Sequence, residues 1–178
     1  MMADLVVLQK LAESCRRGLQ TLADQPGSMF SGFPKGSCGP AAEIVGRILK
    51  EKAGYDGLYV CGSEHARLKS SQSHAWFEID NYIIDITYDQ FVNTGLTGWV
   101  FPRGEGWHAE FADLDPRKGF CMPAGWPSYP FDGYGSVTRE IEVRTLQIKE
   151  NPRQHSRQPR AGVINERFRR CAWPTRKN

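Results

Sequence analysis

Cys38, His74 and Asp85 are the side chains whose types and settings combine into one reaction. Cys38 stands in KGSCGP, just ahead of a stretch with helical periodicity. The thiolate is the reactive form of cysteine, and both a helix N-terminus and a neighbouring histidine stabilise it. Gly36 and Gly39 allow a sharp bend and close approach by a substrate, and free N–H groups at a helix start can receive an oxyanion forming on an attacked carbonyl. Pro40 has no N–H to offer, so the donors fall to Cys38, its neighbours or a side chain from elsewhere. His74 is the candidate base and Asp85 the carboxylate that orients it. The expected chemistry is attack by Cys38 on an amide, peptide or thioester carbonyl, followed by release of the acyl group to water or a second nucleophile. Hydrolysis or deamidation of an amide in a peptide or protein is the simpler outcome, and no metal or cofactor is called for.

Those residues need a scaffold. Residues 3–23 place Leu5, Leu8, Leu11, Cys15, Leu19 and Leu22 near the 3.6-residue period, which predicts an amphipathic helix with Cys15 as core packing. Prolines and glycines then mark a loop up to Gly36. In CGPAAEIVGRILKEKAG, Pro40 suits a first helical turn, Ala42, Ile44, Val45, Ile48 and Leu49 form a buried face, and Gly54 closes the helix. Cys38 is thereby expected at a helix mouth.

GLYVCG reads as a short buried strand and SEHARLKSSQS as a polar connection, with His65 exposed in it. HAWFEIDNYIIDITYDQF reads as two strands joined at Asp80-Asn81. Such a turn sets Ile79 opposite Tyr82 and Trp76 opposite Asp85, which brings His74 diagonally to Asp85 on one side of the sheet. A carboxylate between Ile84 and Ile86 needs a partner if it is buried. Gln72 and Gln90 are candidate side-chain donors to the oxyanion, and Trp76 a candidate shield for the Asp–His bond. Residues 93–134, rich in Gly, Pro and aromatics, are expected to wrap the body as ordered loops with short strands, with Trp99, Trp107 and Trp126 covering a pocket or sealing the core. The stretch 136–149 reads as either a strand or a terminal helix.

At 178 residues the chain has room for one domain and hardly for two. Five cysteines, an odd number with wide spacings and no CxxC pair, argue against a disulfide scaffold or a zinc knuckle. No run approaches the roughly 18 apolar residues of a membrane span, and no secretory signal opens the chain, so a cytoplasmic location is expected. Residues 151–178 hold eight Lys/Arg against Glu166, a local +7 that leaves residues 1–150 at −4 within the overall +3. This divides the chain into one domain, 1–150, and a basic tail that is either a solvated segment or an arm for a polyanion or an acidic protein.

The ordered set GSCGPAA, SHAWFEID and YIIDITYDQF resembles the transglutaminase-like superfamily, a papain-like branch of cysteine enzymes, over residues 29–91. Members include transglutaminases, peptide glycanases, proteases, deamidases and bacterial peptide-maturation enzymes, and DITYDQF is most similar to the small bacterial ones. The resemblance implies an α+β, papain-like core with the nucleophile at the N-terminus of a helix packed on an antiparallel sheet. It also implies Cys38 as nucleophile, His74 as general base and Asp85 as orienter. Many members carry a longer hairpin than the 11 positions between His74 and Asp85 here, which keeps Asp89 as the alternative orienter. The length excludes the added domains of the animal transglutaminases.

Two other readings compete. One is a zinc site drawn from Cys38, His74, His108 and Cys121 with Asp85, residues of suitable type that lack compact ligand spacing. The other is a catalytically silent interaction module that works through the basic tail. GLTGW and GEG lack the strand–loop–helix setting of a phosphate cradle.

Overall fold

The computed structural model describes residues 2–118 and 129–150, so the expectations for Cys121, Trp126 and the basic tail 151–178 lie outside the described residues. The architecture is α+β, with helices packed on one face of a five-stranded antiparallel sheet.

Helix α1, Leu5–Gln20, starts where Asp4 accepts hydrogen bonds from the Val6 and Val7 N–H groups, leaving fewer orphan donors in the first turn. Leu8, Cys15, Leu19 and, just past the helix, Leu22 are buried as the periodicity predicts, and Ala12 joins them; Leu11 is half-buried, and Leu5, in the first turn, is exposed. Helix α2, Cys38–Ala53, buries Ala42, Ile44, Val45, Ile48 and Leu49 and ends on Gly54, whose φ of 70° takes the left-handed turn that closes many helices. Helix α3, Phe131–Glu150, decides the ambiguous stretch in favour of helix. It crosses α1 so closely that a Cβ on Gly18 would lie 2.6 Å from the Val137 Cα.

The sheet runs β4 (Val100–Pro102), β3 (Tyr82–Ile84), β2 (His74–Ile79), β1 (Leu58–His65) and β5 (Phe111–Lys118). Asp80, with φ 50°, makes the tight turn between β2 and β3, and the register from Ile79–Tyr82 to Phe77–Ile84 is the one the two-residue turn dictates. Alternation then sorts β2. Phe77 and Ile79 join the helix-side core with Ile84, whereas Trp76 joins Val60, Ile83, Tyr88, Phe101, Trp107 and Phe111 on the opposite face. The second face is unusually aromatic: β4 and β5 add Phe101 and Phe111 to it, and a 3-10 turn at Trp107–Glu110 packs Trp107 against it.

Two further sequence expectations need correction: α3 begins at Phe131, inside the stretch 93–134 expected as loops with short strands, and His65 is placed otherwise than read. The polar connection begins later than read, because β1 continues through Glu64 to His65, and His65 is buried rather than exposed. Pairing of His65 with Phe111 on β5 is the reason; the ring packs on Trp107 and Phe111 and its Nε2 meets the Trp107 carbonyl at 3.1 Å. None of the helices among the described residues is long and apolar enough to cross a membrane.

Candidate active site

Cys38 is the first residue of α2 and packs, half-buried, against Ala42, Tyr59 and Ala75. Ala41 already donates its N–H to Ser37 O, and Pro40 has none, so the open donors of this helix mouth among the described residues are the N–H groups of Cys38 and Gly39. Burial pushes the Cys38 thiol up, but the hydrogen bond and charge of the His74 ring, with the Ala75 N–H, outweigh it. The net result is a thiol below its ordinary range despite a smaller opposing effect from Asp85.

His74 opens β2 and is fully buried, its Nε2 lying 2.6 Å from Asp85 Oδ2. Its Nδ1 bonds to no nitrogen or oxygen among the described residues, which leaves that atom for the Cys38 thiol. Burial alone would strip the ring of its proton; the charge and hydrogen bond of Asp85, aided by Cys38, prevail and carry it up to about 9. Phe91, Trp107 and Trp76 lie 5.1, 5.5 and 5.8 Å from the ring centre and wall it from solvent.

Asp85 leaves the ladder after Ile84, its N–H turning to Trp99 O at 3.0 Å. Thr87 satisfies Asp85 Oδ1 twice, through its N–H at 2.9 Å and its hydroxyl at 3.1 Å. Burial would raise the carboxyl's pKa, but the His74 charge and the His108 and His74 hydrogen bonds hold it well below the ordinary carboxylate range. The candidate relay is thus assembled as Cys38, His74 and Asp85, in the order the strand parity predicts.

The remaining candidates fall into different places. Trp76 lies across both His74 and His108, with its Nε1 donating to Glu78, where it shields the Asp85 pair. Gln90 Oε1 accepts from the Gly36 N–H and its Nε2 donates to Thr87 O, so its amide ties the loop before Cys38 to the segment after Asp85 and its N–H is directed away from an oxyanion role. Gln72 is exposed and its Oε1 accepts from the Lys69 N–H. Asp89, the alternative orienter, forms a bidentate pair with Arg16 at 2.8 and 3.0 Å and turns its carboxylate to α1.

His108, named from the sequence for the competing zinc site, is buried beside Asp85. Its Nε2 reaches the same Asp85 Oδ2 at 2.9 Å, a contact between positions 23 apart across a Gly-rich stretch that carries no periodic signal. Among the described residues, His74, Asp85 and His108 are also a group that could hold a metal ion, with ligand atoms all within 4.8 Å of one another. Both ring nitrogens already sit at hydrogen-bond distance from one carboxylate oxygen, so an ion there would have to displace two N–H protons inside an aromatic enclosure. Of the other proposed zinc ligands, Cys121 lies outside the described residues.

No family model, curated protein or solved structure matches this chain. The fold and site define an α+β protein with a thiol at a helix mouth, backed by a buried imidazole–carboxylate pair.

Proposed function

We propose that the chain is a cysteine-dependent acyl-transfer enzyme of transglutaminase-like, papain-like type, which hydrolyses or deamidates an amide in a peptide or protein. The observation that carries this reading is the lowered Cys38 thiol beside a His74 imidazole whose other nitrogen is fixed on Asp85 at 2.6 Å.

Cys38 Sγ attacks the carbonyl carbon, and the C–O π pair moves onto oxygen, for which the Cys38 and Gly39 N–H groups are the candidate donors. Collapse of this adduct breaks the C–N bond while His74 delivers its proton to the leaving amine or ammonia, leaving a thioester. Water then attacks the thioester, His74 takes the water's proton and returns it to the sulfur, and a carboxylic acid departs. A peptide-bond substrate makes this a protease and a side-chain amide a deamidase; an amine in place of water would complete a transfer.

The test is covalent trapping with 4-nitrophenyl acetate followed by intact-mass and peptide analysis. The reading expects one acetyl group on Cys38, removable by hydroxylamine, absent from Cys38→Ala and formed at least tenfold more slowly in His74→Ala. A folded protein that acquires no acetyl group at Cys38 overturns it.

A further inference from the structure

His108 does nothing in the reaction just described, yet among the described residues the one hydrogen bond of its imidazole goes to Asp85. An ionised carboxylate only accepts, so His108 donates from Nε2. Its Nδ1 is buried without a nitrogen or oxygen partner among those residues, so the ring is not placed to satisfy a second polar group. The 3-10 turn that carries it follows Gly106, whose φ of 65° lets the chain bend back over the sheet. Trp76, Trp107 and Phe101 then hold the ring at centre distances of 5.1, 5.2 and 5.5 Å.

We propose that His108 is a positioning residue, whose Nε2–H clamps Asp85 Oδ2 so that this oxygen stays aimed at His74 Nε2. Four donors fix the carboxylate: Thr87 twice on Oδ1, and His74 and His108 on Oδ2. The two Thr87 bonds hold Oδ1, and the carboxylate can still swing about χ2 as far as those bonds stretch. The 2.9 Å bond from His108 puts a second donor on Oδ2 beside His74 and opposes that swing. Water is a poor replacement, since Asp85 and His108 are 1% and 3% exposed. The clamp rests on the acyl-transfer reading only for its consequence at Cys38; the geometry at Asp85 stands without it.

The titratable groups facing His74 are Cys38 from α2, Asp85 at the end of β3 and, through Asp85, His108 from the covering turn. His65 of β1 meets the Trp107 and Phe111 rings. A pivoting Asp85 gives His74 less of its counter-charge, so loss of the clamp moves the imidazole down from about 9.

Two substitutions separate the donor from the packing. His108→Phe keeps an aromatic ring in the cage and drops the N–H, whereas His108→Gln keeps a donor and drops the ring. Histidine ring NMR titration should place His74 near 9 in the wild type and His108→Gln, and lower by about one pH unit or more in His108→Phe. An unchanged midpoint in the Phe variant, or an equal fall in Gln and Phe, overturns the clamp. Ring nitrogen shifts of the wild type supply a check that needs no variant: His108 protonated on Nε2 is expected, and a neutral Nδ1–H tautomer overturns the proposal. Alkylation of Cys38 on the same samples keeps the two claims apart, because an ordinary thiol beside a His74 titrating near 9 contradicts the acyl-transfer reading while leaving the clamp intact.

Discussion

His74 Nε2 and Asp85 Oδ2 lie 2.6 Å apart, with side chains 0% and 1% exposed. Burial opposes both charges, and the pairing overcomes it in opposite directions: His74 rises from 6.5 to about 9, and Asp85 stays well below 3.8. A raised imidazole stabilises the fold fully below pH 6.5 and loses that contribution as pH climbs to about 9; a depressed carboxylate contributes above pH 3.8 and loses it below. Both contributions are whole only between those ordinary values. In a Cys38→Ser background, which removes the thiol's own titration, Asp85→Asn should therefore cost about 3 kcal/mol near pH 5 and clearly less above about pH 9. Urea unfolding at the two pH values checks this, and an equal loss at both contradicts the ion pair.

Arg16 holds Asp89, so that its carboxylate faces α1. Its guanidinium is held by Asp89, donates to Ile86 O at 2.8 Å and stacks on Phe33 and Trp99 at 4.7 and 4.8 Å. Asp89→Asn should cost less than about 1 kcal/mol, since its partner keeps the other contacts and the carboxylate is partly exposed. Arg16→Ala should cost about 1–2 kcal/mol through lost stacking and the lost carbonyl bond. Neither change should move the pH at which Cys38 becomes reactive, whereas Asp85→Asn should raise it; alkylation profiles of the three variants make the comparison.

Gly18 sets the distance between α1 and α3. An added Cβ would meet the Val137 Cα at 2.6 Å and its N at 2.9 Å, and backbone atoms cannot rotate aside as a side-chain tip can. Gly18→Ala should cost about 2 kcal/mol despite alanine's better helix propensity, as the helices are forced apart. An unchanged or raised Tm in thermal unfolding contradicts this close crossing.

Much of this was legible in the chain because the signals are local. The repeats of Leu8, Cys15 and Leu19 settle α1, Gly54 settles the end of α2, and a two-residue turn at Asp80-Asn81 fixes a register that brings His74 to Asp85. Strand parity suffices there because side chains alternate with period two. The failures are non-local. His65 looked exposed beside Glu64 and Arg67, but pairing with β5, 46 positions away at Phe111, buries it. His108 reaches Asp85 through a Gly-bounded turn with no periodicity, so its bond to the site depended on how residues 93–118 drape over an aromatic sheet face. Gln90 was legible as near the site but not as a tie to Gly36, because a side-chain amide's partner is set by tertiary distance.

The most direct measurement of the central claim is the rate of Cys38 alkylation by iodoacetamide between about pH 4 and 10, with each thiol resolved by peptide mass. The account predicts that Cys38 reacts in its thiolate form below the ordinary thiol value of 9.0, and that His74→Ala returns it toward that value or higher, with a slower rate at neutral pH. Cys15, raised by complete burial, should stay unlabelled in the folded protein, and Cys61, also raised by burial, should lag behind Cys38 at neutral pH. A chelator should leave the profile unchanged. Cys38 titrating at or above 9.0 in the folded wild type, or a profile indifferent to His74, contradicts the account.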